Sequence, residues 1–232
     1  MDRAALITGG SSGIGLAIAR MLREEGFGLT LASRTPEKVE AAARELGTEA
    51  VTADVSEEED CERAVAAHRE RFGRLDVLVN SAGIGIGGQL ADLSTKRWDL
   101  QVGVNLRGLF LVTRFAIPLL RESRGIIVNL ASIAGTIPSP GLAAYGATKA
   151  AVISLTHSLN AELEGDGVRA TAICPGFVDT PMAGWSGLES DEMIQPEDCA
   201  EIVRMLLRLS PRARVPQVVV ERLDGEGEVR GA

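Results

Sequence analysis

The regular alternation of apolar segments with charged, amphipathic segments is the feature that most constrains how this chain can fold. Some apolar segments, such as Gly125–Leu130, are largely continuous, as in strands that are buried on both faces. The pattern predicts seven strands, at Ala4–Ile7, Gly28–Ser33, Ala50–Val55, Leu75–Asn80, Gly125–Leu130, Val168–Ile173 and Val215–Glu221. We therefore predict an α/β fold with a doubly wound, seven-stranded parallel sheet and helices on both of its faces.

Turn and capping residues mark the helices between these strands. Pro36 begins one helix and Gly47 ends it, as capping chemistry prefers. Ser56 and Glu59 have the spacing of a capping box for the next helix, which runs to Phe72. Further helices are predicted from residue 16 to the turn at Gly26, from Thr95 to about Leu120, from Ala143 to Leu163 and from Pro196 to Leu209.

The composition limits the size of the fold and the classes of partner. The chain has 232 residues, 45% of them hydrophobic, which fits a single domain over 1–232 with a frayed tail at 224–232. Its net charge of −8, without any basic stripe, argues against a nucleic-acid partner. Its three cysteines and two histidines are scattered, so we predict neither disulfides nor a metal site.

Residues 125–148 include no charged side chain, as in a membrane-spanning helix. Prolines and glycines interrupt this stretch, however, whereas a span needs about 20 continuous apolar residues. We interpret it as a buried strand, a loop and the start of a helix. Met1-Asp2-Arg3 leads straight into the first strand without a targeting segment, so we expect a cytoplasmic protein with no membrane partner.

The first strand runs into a glycine-rich turn, Thr8-Gly9-Gly10-Ser11-Ser12-Gly13-Ile14-Gly15, and a helical pattern follows at once. A strand, such a turn and a helix N-terminus together form a phosphate site, because free backbone N–H groups and the positive end of the helix dipole face the anion. Similar turns also close ordinary strand–helix units. The turn therefore indicates a nucleotide only in combination with other features.

Tyr145 and Lys149 stand four residues apart at the start of a predicted helix, shortly after Ser132. Positions four apart lie on one face of a helix, with Cβ atoms roughly 5–6 Å apart. A phenol has an ordinary pKa of about 10, so it needs a nearby cation to exchange protons near neutral pH. The spacing therefore predicts that Lys149 lowers the pKa of Tyr145.

In this order, these motifs resemble those of the short-chain dehydrogenase/reductases, and the likeness runs through nearly the whole chain. The turn is similar to that family's cofactor turn, and Asn80-Ser81-Ala82-Gly83 to its Asn-Asn-Ala-Gly strand end. Ser132, Tyr145 and Lys149 match its catalytic residues, and Asn105 matches its helical asparagine. The resemblance implies a Rossmann-type fold and a reversible hydride transfer between a nicotinamide and a carbonyl or secondary alcohol.

The resemblance also implies individual roles. Ser132 holds the reacting oxygen, Tyr145 donates or accepts its proton, Lys149 binds the nicotinamide ribose, and Asn105 holds a water near the lysine. Asp54 accepts the adenine amino group, unless it is only a turn carboxylate. The residues implied to contact the cofactor, together with Tyr145 and Lys149, are Gly9, Ser11, Ser12, Gly13, Ile14, Gly15, Ser33, Arg34, Asp54, Val55, Asn80, Ala82, Gly83, Pro175, Gly176, Val178 and Thr180.

The end of the second predicted strand indicates which cofactor is used. Enzymes that use NAD place a carboxylate there for the ribose 2′-hydroxyl, whereas this chain reads Ala32-Ser33-Arg34-Thr35. Arg34 suits a 2′-phosphate through charge-assisted hydrogen bonds. We therefore predict that NADP(H) is preferred and that NAD(H) can still be used, the alternative being that Arg34 is a solvated surface residue.

The sequence constrains the substrate less. The loop from Pro181 to Pro196 carries Met182 and Trp185 beside several acidic residues, which favours a small or apolar carbonyl or alcohol. One alternative is a 3-oxoacyl-[acyl-carrier-protein] reductase, which the overall pattern resembles, although an acidic carrier needs a basic rim. An alternative of another class is a non-catalytic NADP(H)-sensing or scaffold protein with the same fold.

Two predicted helices carry more apolar residues than one face of a sheet requires. These residues are Leu106, Leu109, Phe110, Val112, Ala151, Val152, Leu155 and Leu159. The family resemblance implies a two-fold interface on the same helices. We therefore predict a homodimer or a homotetramer.

Overall fold

Seven parallel strands form the centre of the structure, a computed structural model that describes residues 3–223. They are β1 (Ala4–Thr8), β2 (Gly28–Ser33), β3 (Glu49–Thr52), β4 (Val77–Asn80), β5 (Ile126–Leu130), β6 (Arg169–Pro175) and β7 (Gln217–Val220). Their order in the sheet is β3-β2-β1-β4-β5-β6-β7. The predicted parallel sheet is confirmed, and the predicted frayed tail lies outside the described residues. Strand order reverses between β1 and β4, where sheets of this kind bind ligands beyond the carboxyl ends of their strands.

Helices cover both faces of the sheet, as predicted. They are α1 (Gly13–Glu24), α2 (Pro36–Leu46), α3 (Glu58–Phe72), α4 (Thr95–Val102), α5 (Leu109–Ser123), α6 (Ala143–Glu162) and α7 (Pro196–Arg208). One core, with Ile18 and Leu22 fully buried, joins α1, α2 and α7 to the sheet, and a second, around Leu111 and Leu120, joins α3, α5 and α6 to the other face. Each buried leucine of this kind contributes about 1.5–3 kcal/mol of burial free energy.

The third strand and the helix after it differ from the prediction. β3 ends at Thr52, earlier than predicted, and is largely exposed at the edge of the sheet. The Asp54 carboxylate then accepts hydrogen bonds from the Ser56 backbone N–H (2.9 Å) and from the Ser56 hydroxyl (2.7 Å). Because the Ser56 hydroxyl and backbone N–H both bind Asp54 in this local turn, Ser56 does not cap the helix, and α3 begins only at Glu58. The predicted capping box between Ser56 and Glu59 is therefore wrong.

The helical stretch from Thr95 to Ser123 contains a π-helix at Gly103–Gly108. By length and composition this stretch could cross a membrane, but half of its most apolar window is buried inside the protein, where α5 packs against α3 and β4. A helix buried in the core of a protein meets the same criteria of length and composition. The uncharged residues 125–148 contribute β5, a loop and the start of α6, as predicted.

Candidate active site

The glycine-rich turn closes against two other parts of the chain. Gly13 has a φ of +51°, which favours glycine, and a Cβ atom there would lie 2.9 Å from Cγ2 of Thr180. A Cβ atom at Gly9 would lie 2.8 Å from the backbone nitrogen of Ala82. Ser12 is the N-cap residue of α1 but makes no side-chain capping hydrogen bond. The turn thus brings the N-terminus of α1, the end of β4 and the segment after β6 to one crevice.

Residues at the end of β2 lie beside this turn. The Ser11 hydroxyl donates a hydrogen bond to Oγ of Ser33, over 2.8 Å. Nη1 of Arg34 lies 3.9 Å from Oδ2 of Asp54, and the Arg34 side chain is 65% exposed. An exposed pair of this length contributes about 0–1 kcal/mol, so it leaves the guanidinium free to turn toward an anion. Val55 follows Asp54 in the chain, and its carbonyl oxygen packs so closely on Gly108 that a Cβ atom added there would lie 2.7 Å away.

Asn80 uses its side chain inside the protein. Its Nδ2 donates to Oγ1 of Thr113 (3.0 Å) and to Oδ1 of Asn129 (2.9 Å), and Nδ2 of Asn129 donates to Oγ1 of Thr156 (2.9 Å). This buried network joins β4 and β5 to α5 and α6. The predicted contact of Asn80 with a cofactor stays a prediction, since this network uses its Nδ2 and leaves its buried Oδ1 without a hydrogen-bond partner among the described residues.

Asn105, in the π-helix, holds the loop that follows β4. Its Oδ1 accepts from the backbone N–H of Ile84 (2.8 Å), and its Nδ2 donates to the Ile84 carbonyl (2.9 Å) and to Oγ1 of Thr148 (3.2 Å). A Cβ atom at Gly83 would lie 3.4 Å from Oδ1 of Asn105 and 3.5 Å from Nζ of Lys149. Asn105 thus stands near Lys149, as the resemblance implies, and its amide joins the loop to α6.

Ser132, Tyr145 and Lys149 come together between the end of β5 and the start of α6. Nζ of Lys149 donates to the backbone carbonyl of Leu130 (2.7 Å) and lies 5.6 Å from the centroid of the Tyr145 ring. The Ser132 hydroxyl accepts from the backbone N–H of Ala134 (3.2 Å) and also makes a side-chain hydrogen bond with Tyr145. The structure therefore brings together the three residues that the spacing predicts to act together.

Burial controls the protonation of this group. It raises the pKa of Tyr145 above its ordinary value, and the hydrogen bond with Ser132 opposes this effect. Burial also lowers the pKa of Lys149 to about 8. The expected lowering of the Tyr145 pKa by Lys149 is not found, because desolvation is the larger effect and the ammonium is hydrogen-bonded to Leu130. At neutral pH, Tyr145 therefore carries its proton and can donate it.

Two glycines let the Ser132 turn pack closely on α6. A Cβ atom at Gly146 would lie 2.5 Å from the carbonyl oxygen of Ala134, and one at Gly135 would lie 2.7 Å from the backbone nitrogen of Ala150. Neither contact is possible for a real Cβ atom. This close packing fixes Ser132 relative to Tyr145.

The segment after β6 extends from the glycine-rich turn to the tyrosine. Beyond Thr180, a short 3₁₀ turn, Pro181–Ala183, carries Met182. A Cβ atom added at Gly85 would lie 3.6 Å from Sδ of Met182 and 3.9 Å from Cε2 of Tyr145. Sequence reasoning missed Gly85, although the glycines at positions 83, 85, 87 and 88 were a signal for close packing.

The three cysteines lie in the interior of the protein. All three are buried free thiols, and burial raises the pKa of Cys61 and Cys174 to about 11 and that of Cys199 to about 12. The thiols are therefore neutral and unreactive at physiological pH. Within residues 3–223, no group of three or more His, Cys, Asp or Glu side chains is arranged to hold a metal ion.

Residues 3–189 match the family model described as short chain dehydrogenase. The chain belongs to the short-chain dehydrogenase/reductase family. An uncharacterized oxidoreductase of Staphylococcus epidermidis is 36% identical to this short-chain dehydrogenase/reductase over 222 residues, which cover 94% of this chain and 96% of the relative. One from Staphylococcus aureus strain USA300 is 35% identical over 223 residues, covering 94% and 96%. The predicted family and the predicted oxidoreductase class are confirmed.

Solved structures of this family superpose on nearly the whole chain. An alcohol dehydrogenase from the archaeon Thermococcus sibiricus, complexed with 5-hydroxy-NADP, has a TM-score of 0.90 and 32% identity, and the match covers 97% of this chain and 99% of that one. A 3-ketoacyl-(acyl-carrier-protein) reductase from Brucella melitensis, complexed with NADH, has a TM-score of 0.86 and 32% identity, with coverage of 94% and 96%. The Rossmann-type architecture is thereby confirmed.

Proposed function

We propose that this protein transfers a hydride between NADP(H) and a carbonyl or secondary alcohol, with Tyr145 as the acid/base residue. One observation carries the proposal: the segment after β6 contacts the glycine-rich turn through Thr180 and approaches Tyr145 through Met182 and Gly85. A nucleotide site and a proton donor therefore share one crevice. Two solved relatives with nicotinamide dinucleotides bound, which match more than nine tenths of this chain, support it.

The residues of the crevice fit such a cofactor. The N-terminus of α1, without a side-chain cap, presents free N–H groups to a pyrophosphate. Ser11, Ser33 and Arg34 lie where the adenosine ribose of a bound dinucleotide would be held, and Arg34 supplies a positive charge for a 2′-phosphate. When bound, the nicotinamide supplies or accepts the hydride. The preference for NADP(H) over NAD(H) rests on Arg34.

Three residues of the chain, Tyr145, Ser132 and Lys149, carry out the proton transfer. In carbonyl reduction, Tyr145 donates its proton to the oxygen, and its raised pKa keeps that proton in place at neutral pH. Ser132, hydrogen-bonded to Tyr145, is within reach of the same oxygen. Lys149, with its Nζ 5.6 Å from the centroid of the Tyr145 ring, places a positive charge near the phenolate left behind, although burial has the larger effect on the pKa of Tyr145. These pKa directions favour reduction at neutral pH and oxidation at higher pH.

Two alternatives are kept. The Brucella structure is that of a 3-ketoacyl-(acyl-carrier-protein) reductase, so that activity is the second candidate for this chain. A non-catalytic NADP(H) sensor with the same fold is the third. The presence of Ser132, Tyr145 and Lys149 in one place favours an enzyme over a sensor.

We propose a single domain, a small-molecule substrate and a cytoplasmic location. One sheet with two covering helix layers accounts for the described residues. The three cysteines are unpaired, which is typical of proteins in a reducing compartment.

The phenol of Tyr145 provides the test. Tyr145→Phe removes the proton donor but keeps the ring, so kcat should fall by about 10²–10⁴ while the Kd for NADPH stays within about twofold. Steady-state rates on a ketone panel, measured beside NADPH fluorescence titrations, give both quantities. Ser154→Ala, at an exposed position of α6, is the matched control and should change neither. Near-normal turnover by Tyr145→Phe contradicts the mechanism, and tight NADPH binding without any turnover by the wild type favours the sensor.

A further inference from the structure

Three segments border the space in front of Tyr145, namely residues 81–94, 131–145 and 176–195, here called the entrance segments. Gly85 of the first lies beside Tyr145 of the second and Met182 of the third. The backbone N–H of Gly88 donates to the carbonyl of Gly141 (2.8 Å), so the first and second also meet directly. A substrate that approaches Tyr145 from this side passes between these segments.

The entrance segments carry charge of one sign. They contain no lysine or arginine, and their charged residues are Asp92, Asp179, Glu189, Asp191 and Glu192. Arg222 approaches from outside and donates to the backbone carbonyl of Glu192 (3.3 Å). Lys96 and Arg97 follow the first segment, in α4. The chain from Gly125 to Thr148, which includes the second segment, has no charged residue at all.

The same segments expose large apolar side chains. Leu90 is 63% exposed, Ile137 is 44%, Met182 is 42% and Trp185 is 51%. The Trp185 ring packs edge-on against Phe177, with 5.8 Å between their centroids, which holds it in place on the third segment. Met182 also lies next to the Gly85 position beside Tyr145, so this apolar character extends to the proton donor and suits an apolar ligand.

We infer that the substrate is an uncharged, apolar ketone or the corresponding secondary alcohol, and that one of its substituents occupies the space between Met182 and Tyr145 that Gly85 leaves open. This inference rests on the proposed function and adds the substrate class to it. An anionic substrate, such as a free carboxylate or an acyl group on an acidic carrier, meets like charge on the entrance segments. It would also lose its hydration against apolar side chains.

Reduction of the ketone needs one hydride and one proton. NADPH gives a hydride to the carbonyl carbon, Tyr145 gives its proton to the oxygen, and the products are NADP⁺ and the secondary alcohol. Tyr145 regains a proton from water. The acidic and exposed apolar side chains of the entrance segments take no part in these steps, so changes to them alter which ketone reacts without altering the chemistry.

A matched pair of ketones tests the charge argument. Ethyl acetoacetate and acetoacetate share the reacting carbonyl, and the acid carries a negative charge where the ester carries an ethyl group. With NADPH, kcat/KM for the ester should exceed that for the acid by tenfold or more. The double variant Asp92→Lys/Asp191→Lys should raise kcat/KM for the acid at least threefold and leave the ester within twofold. Glu62→Lys/Glu70→Lys, which makes the same charge change at exposed positions of α3, should leave the ratio unchanged.

Substitutions at Gly85 and Met182 test whether a substituent of the substrate occupies the space beside Tyr145. Gly85→Val fills that space, so kcat/KM should fall tenfold or more for a ketone with a large apolar substituent, while the Kd for NADPH is kept. Met182→Ala enlarges the space and should shift preference toward the larger of two methyl ketones. The inference about the substrate is overturned if the wild type turns over the acid and the ester equally. It is also overturned if Gly85→Val and Met182→Ala leave the preference between small and large ketones unchanged. Neither result contradicts the proposed function. Failure of the wild type to reduce any ketone while it binds NADPH counts against the proposed function as well.

Discussion

At the residue scale, the surroundings of Tyr145 decide what it can do. A lysine four residues away predicts an acidic phenol, yet the lysine is itself buried and hydrogen-bonded to a backbone carbonyl. Desolvation acts on both groups, raising the pKa of Tyr145 and lowering that of Lys149. Sequence spacing can predict which two residues meet, but it does not report how much water surrounds them.

The pKa of Tyr145 can be read directly, because it is the only tyrosine in the chain. We expect its absorbance at 295 nm to titrate above pH 10, since burial disfavours the phenolate. Ser132→Ala should move the titration to still higher pH, because the hydrogen bond with Ser132 lowers the pKa. Far-UV circular dichroism at each pH separates this titration from alkaline unfolding. Tyr145→Phe should show no transition, and a wild-type pKa below about 8 would mean that Lys149 dominates after all.

Arg34 tests cofactor choice. Arg34→Asp removes the partner of a 2′-phosphate and puts a like charge beside it, so the ratio of kcat/KM for NADPH to that for NADH should fall by more than about tenfold. Arg34→Ala should give an intermediate ratio. The control is Arg44→Asp, which makes the same charge change at an exposed arginine of α2. An unchanged ratio in both Arg34 variants would leave Arg34 as a surface residue paired only with Asp54.

At the element scale, the sequence predicted most of what the structure contains. The central strands could be located because buried parallel strands are apolar throughout, and the helices because proline and glycine mark their ends. The capping box failed because two candidate partners, Asp54 and Glu59, competed for Ser56, and only the structure shows which one is close. The π-helix at Gly103–Gly108 left no periodic signal, since its extra residue per turn depends on how it packs.

The contact between the Ser132 turn and α6 should be intolerant of any side chain. Gly146→Ala places a methyl group 2.5 Å from the Ala134 carbonyl oxygen, so the turn must move away from Tyr145. We expect a loss of about 1–3 kcal/mol in the free energy of unfolding and at least a tenfold loss in kcat. Urea denaturation and steady-state kinetics measure the two effects.

Gly165→Ala is the matched control for this change. A Cβ atom at Gly165 meets nothing within 4 Å, so stability and kcat should stay close to those of the wild type. If Gly146→Ala behaves as Gly165→Ala does, the close packing of the turn has no role in placing Ser132.

At the scale of the whole molecule, the apolar surface differs from the prediction. Leu109, Val112, Val152 and Leu159 are buried within the chain itself, so they cannot serve an interface. Of the predicted residues, Leu106, Ala151 and Leu155 are half-buried and Phe110 is 47% exposed, and the preceding helix α4 also exposes Trp98 (39%) and Leu100 (44%). Exposed aromatic residues of this kind are typical of interfaces.

We predict a dimer or a tetramer that uses this surface. Sedimentation equilibrium at micromolar concentration should give a mass of two or four chains, and Phe110→Arg should lower it because it puts a charge into the apolar contact. Met205→Arg, at a similarly exposed residue on α7, is the control and should keep the two-fold contact. A monomeric wild type, or a Phe110→Arg variant of unchanged mass, contradicts the assignment of this surface.

The order of the strands also determines when the crevice can exist during folding. β1 pairs Ala5 with Val77, and the Gly13 turn is closed by Thr180, so the glycine-rich turn is completed by residues from most of the length of the chain. The first of these contacts needs the chain as far as Val77, whereas the second needs it as far as Thr180 and also closes the longer loop, which costs more entropy. A nascent chain that ends before Thr180 lacks the residue that closes the Gly13 turn, so its crevice is incomplete. The residues proposed to transfer the proton, Ser132, Tyr145 and Lys149, are therefore synthesised before the crevice proposed for the cofactor can be completed.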